Sequence, residues 1–306
     1  MNIEKWLSDN ASSLSGKTVA ITGSTGGLGR EICLHLARLG ASLILVDRNR
    51  ERSERFANEL REGYSLSVEC VTADLEDVRS VAAACERLKE FDIDVFIHNA
   101  GAYSIPRKIC ENGYDNVFNI NFVSPYFITK KLLPQISARG GRIVAVSSIA
   151  HDYSRTNECD VDFSGVRAAS KVYGNAKRYL TYSLFGLFEG ETGASLSIAH
   201  PGITLTNITA HYPKIIFAII KYPMKLIFTS PRVAALNVIR GVFDSTASCE
   251  WIGPRVFDVW GLPKKKKLST AKREEREYIS GAAERIYLEM LEFVKNNGRE
   301  TKNEDK

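Results

Sequence analysis

The segment Thr22-Gly23-Ser24-Thr25-Gly26-Gly27-Leu28-Gly29 follows a β-branched run and leads straight into a helix-forming stretch. Glycines that dense at a strand-to-helix junction permit a tight turn and leave the first N–H groups of the helix open. From residue 18 onward, short apolar runs alternate with stretches of helical periodicity, the pattern of βαβ units and a parallel sheet. The spacing predicts strands at Thr18–Thr22, Ser42–Val46, Ser67–Thr72, Asp94–His98, Arg142–Ser147 and Ser195–His200. It predicts helices at Arg30–Leu39, Arg50–Arg61, Val78–Lys89, Asn116–Leu133 and Ala168–Phe188. Several strands are near-continuously apolar, as strands covered on both faces are.

Right-handed crossovers then give an α/β fold: a doubly wound parallel sheet (Rossmann fold) of six to seven strands with helices on both faces. After His200 the alternation stops. A loop and an apolar stretch dotted with Lys214, Lys221 and Lys225 follow, then a helix at Pro231–Phe243 and a last short strand at Trp251-Ile252. Ile279, Ala283, Ile286, Met290 and Phe293 recur at helical spacing, with Gly298 as the stop and a disordered charged tail beyond it. The expected division is an N-terminal amphipathic helix (1–15), a catalytic domain (16–263) with a lid at about 203–230, and a C-terminal part (264–306).

At 306 residues, with 44% hydrophobic and 25% charged residues, the chain fits one large globular domain with appendages. Its six cysteines are scattered, with no C-x-x-C pair and no clustering with histidine, which reads as reduced thiols in a cytosolic protein without a metal site. Residues 1–14 lack the apolar run of a secretory signal, and no apolar run is long enough to span a bilayer. Of the net charge of +5, the run Lys264 to Lys267 reads as solvated loop ahead of a contact with anionic lipid or nucleic acid.

Strand, glycines and helix in that order form a cradle for a dinucleotide, whose pyrophosphate would rest on the helix N-terminus. The spacing Gly-x-x-x-Gly-x-Gly departs from the generic G-x-G-x-x-G. Asp47, 18 residues beyond Gly29, can accept hydrogen bonds from ribose hydroxyls and would repel a 2′-phosphate. Arg48 beside it argues the other way, and NAD is weighed above NADP. Tyr173 and Lys177 stand at i and i+4, so on a helix they share a face and the ammonium can draw the phenol's pKa from ~10 toward neutrality. Ser148, at the carboxyl end of a strand, can donate to a carbonyl oxygen that gains charge.

On these residues the chain resembles the short-chain dehydrogenase/reductase family, from about Gly16 to Gly202, and within it the retinol-dehydrogenase-like branch. The family's Thr-Gly-x-x-x-Gly-x-Gly matches Thr22 to Gly29, so the resemblance places Gly23, Ser24, Gly27, Leu28 and Gly29 on the cofactor. It places Asp74 and Leu75 near adenine, Asn99-Ala100-Gly101 after the fourth strand, and Pro201-Gly202 beside the nicotinamide with Thr204 or Thr206 near its carboxamide. Tyr-x-x-x-Lys has two registers here, Arg167 to Lys171 and Tyr173 to Lys177. Arginine cannot release its proton, and Ser147-Ser148-Ile149-Ala150-His151 resembles that branch, whose longer serine-to-tyrosine gap fits the 25 residues from Ser148 to Tyr173. The implied catalytic set is Asn121, Ser148, Tyr173 and Lys177, with Asn119 a nearby decoy and His98, His151 and His200 structural.

The resemblance implies an NAD(P)-dependent oxidoreductase that interconverts an alcohol and its carbonyl on a retinoid-, steroid- or lipid-like molecule. The alternatives are a sugar or acyl-thioester carbonyl, or a dinucleotide-binding regulator without turnover. It also implies a homo-oligomer formed through the helices flanking the tyrosine. Lysines at offsets of seven and four beside an apolar face in 214–228 allow a peripheral contact with a membrane surface, ranked behind a lid helix packed on its own domain or across a dimer interface, in a protein read as cytoplasmic. No nucleic-acid partner is expected.

Overall fold

The computed structural model describes residues 3–190, 193–203, 229–268 and 271–304. After helix α1 (Ile3–Asn10) come β1 (Thr18–Thr22), α2 (Gly27–Arg38), β2 (Ser42–Asp47), α3 (Arg50–Tyr64), β3 (Val68–Thr72), α4 (Val78–Leu88) and β4 (Val95–His98). The second half holds α5 (Asn116–Phe118), a π-helical turn (Asn119–Val123), α6 (Ser124–Ala138), β5 (Arg142–Val146), a 3-10 turn (Ile149–Asp152), α7 (Ala169–Glu189) and β6 (Ser195–Ala199). It closes with α8 (Pro231–Phe243), β7 (Glu250–Val256), β8 (Trp260–Lys267) and α9 (Arg273–Glu304).

All eight strands join one sheet in the order β3-β2-β1-β4-β5-β6-β7-β8, parallel except for the last pair. Alternation along each strand divides the core. Ala20, Ile44 and Phe96 face α4, α6 and α7, while Val19, Ile21, Leu43 and Val144 face α2, α3 and α8. Local chemistry starts the helices: Asn49 accepts from the Arg52 amide ahead of α3, and Asp77 from the Arg79 amide ahead of α4, each at 2.9 Å. The chain leaves β1 toward β2 on one side and β4 lies on the other, so a crevice opens at the carboxyl ends of these strands.

Two expectations need correction. The sheet has eight strands, because the lysine run that read as loop is the edge strand β8, antiparallel to β7. Proline, glycine and lysine are depleted in strands but suit an exposed edge, where they discourage pairing with another chain. Helix α9 continues through Gly298 to Glu304, since one interior glycine costs only about 1 kcal/mol against the helix-forming Glu, Lys and Arg around it. Helix α9 also packs on α7, where its Ile279, Ala283, Ile286 and Met290 share a core with Tyr179 and Leu180. Thr204, Thr206 and the basic-dotted stretch 214–228 lie outside the described residues.

Candidate active site

A cavity of about 440 Å³ opens at the carboxyl ends of β1, β4, β5 and β6. Gly23, Gly27, Leu28 and Gly29 form one wall, and Asn99, Ala100 and Gly101 the floor. The Asn99 amide donates to the Thr22 and Gly23 carbonyls at 2.9 and 3.1 Å, which ties the end of β4 to the glycine turn. Position 29 tolerates no larger residue: a Cβ on Gly29 would collide with the Gly23 carbonyl oxygen and stand 2.8 Å from the Asn99 amide nitrogen. The start of α2 thus presents bare backbone to the cavity, the arrangement that receives a pyrophosphate.

Asp47 is buried behind this loop. Its carboxylate accepts from the Ser24 hydroxyl, the Thr25 amide at 3.3 Å, the Thr25 hydroxyl at 3.1 Å and the Ser53 hydroxyl at 3.3 Å. Four donors match the roughly four acceptor sites of a carboxylate. Ser24 is likewise turned inward, while Arg48 is exposed. Asp74 and Leu75 do not line the cavity: Asp74 accepts from the Glu76 amide at 3.0 Å beside a separate hollow, and Leu75 is buried with its carbonyl accepting from Ser124 at 2.8 Å.

At the other end, Ser148, Tyr173, Lys177, Pro201 and Gly202 all line the cavity. Ser148 caps the 3-10 turn, accepting from the Ala150 amide at 3.2 Å. The Lys177 ammonium donates to the Val146 carbonyl at 2.9 Å and lies 5.7 Å from the centre of the Tyr173 ring. Arg167 is exposed ahead of α7 and does not line the cavity. Asn121 sits one layer back, fully buried in the π turn, donating to the Ala102 and Val117 carbonyls at 2.8 Å each. Its Oδ1 has no donor among the described residues. A Cβ on Gly101 would stand 2.8 Å from that oxygen and 3.6 Å from the Lys177 nitrogen, so glycine is what keeps the passage between them open.

Burial reverses one electrostatic expectation. It pushes the Tyr173 phenol up to about 12, with the Ser148 hydroxyl pulling back only part of the way, and draws Lys177 down to about 7. Desolvation penalises whichever form is charged, so near pH 7 the proton rests on the phenol and the lysine is only partly cationic. His98 and His200 are pushed down by burial to about 3 and 4, one bonded to Thr129 and the other to the Asp258 carbonyl. Among the described residues no group of His, Cys, Asp and Glu side chains is placed to hold a metal ion.

Sequence patterns did not reveal the cavity's aromatic and apolar walls, Tyr103, Tyr153, Ile149 and Ile203. Tyr103 meets the Tyr173 ring edge-on at 5.4 Å. Its place two residues after Asn99-Ala100-Gly101 was the available signal. Nor did any local pattern mark Arg178, fully buried and paired with Glu275 across the fold.

An open parallel sheet with a glycine-walled crevice and a serine, tyrosine and lysine converging on it defines a dinucleotide-binding α/β oxidoreductase. The short chain dehydrogenase profile matches residues 17–213, and the chain belongs to that family as an NAD(P)-dependent oxidoreductase of small molecules. It is 31% identical over 259 residues to human retinol dehydrogenase 14, covering 75% of this chain and 77% of that protein. It is also 31% identical over 308 residues to the dehydrogenase/reductase SDR family member FEY of Arabidopsis thaliana, covering 92% and 79%. Among solved structures, a protein from Mycobacterium paratuberculosis shares the fold with a TM-score of 0.69, 24% identity and coverage of 93% and 95%. A structure described as a gluconate 5-dehydrogenase from Beutenbergia cavernae with bound NADP gives a TM-score of 0.60 at 25% identity, covering 78% and 92%.

Proposed function

We propose that the chain interconverts an alcohol and its carbonyl on a lipophilic small molecule, with Tyr173 as acid/base. The carrying observation is that Tyr173 and Ser148 line one cavity beside Lys177, between a glycine wall and apolar side chains. The Ser148 hydroxyl would hold the substrate oxygen, and Tyr173, protonated near neutrality, would give that oxygen its proton in the reductive direction. Lys177 and Asn121 would carry the replacement proton through the passage left by Gly101. Bare backbone at Gly23 and Gly29 fits a dinucleotide, which supplies or accepts the hydride when bound.

The cofactor preference is also a proposal. The case for NAD needed an Asp47 free to accept from ribose, and its acceptor sites are already occupied by Ser24, Thr25 and Ser53. Arg48 at the same edge is exposed. That balance supports NADP.

Retinol dehydrogenase 14 as a relative and the apolar cavity wall both support a retinoid-, steroid- or lipid-like substrate. The test is a panel of lipophilic alcohols and ketones with each dinucleotide, read at the absorbance band of reduced nicotinamide. Turnover confined to sugars or acyl thioesters would overturn the substrate class, and none with any carbonyl or alcohol would favour a regulator.

A further inference from the structure

Beyond that activity, we propose that the tip of the β7–β8 hairpin docks on an anionic lipid bilayer. Val256, Phe257, Trp260 and Leu262 are exposed there, Phe257 at 84%. The turn is tight, with the Val259 amide donating to the Val256 carbonyl at 3.0 Å. Both central residues, Phe257 and Asp258, take the left-handed conformation, with φ of 49° and 57°. A bulky aromatic rarely adopts that conformation, and this one gains almost no packing inside the protein in return.

The charge around the tip is complementary to an anionic surface. Arg255, Lys264 and Lys265 are exposed along the strands that lead to the apolar tip, and Lys267 is exposed farther back. The acid of the turn, Asp258, is held by Lys266 at 2.8 Å, and Glu250 lies opposite Lys267 at the far end of the strands. The groove between the hairpin and α1 adds Lys5, with Asp9 as its acid. Apolar and aromatic side chains ringed by lysine and arginine suit the boundary of a bilayer, where tryptophan favours the headgroup level. A second copy fits worse, because pairing two β8 edges would set one lysine run against the other.

The tip is also joined to the cavity. His200 bonds the Asp258 carbonyl at 3.0 Å and Thr229 donates to the Val259 carbonyl at 2.8 Å. Docking would therefore hold the Pro201-Gly202 end of the cavity close to the lipid in which an apolar substrate dissolves.

The test uses the full chain with vesicles of phosphatidylcholine alone, or with one third phosphatidylserine, in a co-sedimentation assay. Binding to the anionic vesicles, weakened by salt, is expected. Phe257→Asn combined with Trp260→Thr should lower it at least about tenfold, and asparagine suits the left-handed turn, so folding is not at risk. Lys264→Glu with Lys265→Glu should remove the anionic preference, at about fivefold per cation lost. Unchanged dinucleotide affinity in these variants checks the fold. The proposal fails if the wild type ignores anionic vesicles, if the variants bind them equally well, or if the tip variants instead dissolve a dimer.

Discussion

Arg178 of α7 grips both carboxylate oxygens of Glu275 on α9, through Nε at 2.8 Å and Nη2 at 2.7 Å, with no part of the arginine side chain exposed. Its third nitrogen, Nη1, donates to the His151 carbonyl at 2.9 Å. Glu275 also receives the Thr156 amide and hydroxyl at 3.1 Å. One ion pair therefore fastens the C-terminal helix to the helix bearing Tyr173 and to the segment that follows Ser148.

Glu275→Ala leaves a buried guanidinium without its main partner and is expected to cost about 3–5 kcal/mol, measured by urea denaturation. Replacing Arg178 with Met and Glu275 with Leu together should cost much less. Burial raises the Glu275 pKa, but the bonds from Arg178 and Thr156 prevail and hold it at about 2. A depressed carboxylate stabilises above its unfolded pKa, so the difference between wild type and Glu275→Gln should be constant down to about pH 4.5 and vanish as the pH falls toward 2.

Lys177 gives the same direction of pH dependence in a higher window, but burying it costs stability instead of adding it. Its folded pKa of about 7 lies below its unfolded value of 10.5, so the unfolded chain binds more protons between these values and stability rises with pH across that window. Lys177→Met should therefore be more stable at neutral pH, by on the order of a few kcal/mol and several degrees in Tm, while losing most turnover. A lower Tm for Lys177→Met would contradict the assigned burial cost.

At the nucleotide end, Arg48→Gln should weaken NADP about tenfold or more relative to NAD, as loss of one charged phosphate contact would. Asp47→Ala should weaken both dinucleotides and lower stability, because it strips the acceptor from Ser24, Thr25 and Ser53. Binding titrations with each dinucleotide decide this. A clean gain of NADP at unchanged stability would restore Asp47 as a selector that faces the ribose.

Deleting residues 273–306 uncovers the apolar face that α9 buries on α6 and α7. The truncated chain should self-associate or aggregate, while the full chain should not oligomerise through that face. Light scattering of both forms is the check, and a full-length dimer cross-linked through α6 and α7 would refute it.

The parallel sheet was readable because most of its strands announce themselves as apolar runs, and the glycine turn because it stands between a strand and a helix. Tyr173 could be told from Arg167 by an upstream serine motif and by what each side chain can do with a proton. β8 was hidden because Pro263 and four lysines suit an edge yet read as loop. The Arg178–Glu275 pair joins residues 97 apart in sequence, and no local pattern carries such a contact. Burial, which raises the Tyr173 phenol and lowers the Lys177 ammonium, is set by tertiary packing and has no trace in an i, i+4 spacing.

The most direct measurement is steady-state turnover and dinucleotide affinity of Tyr173→Phe, with a lipophilic substrate found in the panel. The ring stays in place and only the hydroxyl is lost, so binding should persist while kcat falls at least about a hundredfold. Undiminished kcat would show that another group gives the substrate oxygen its proton.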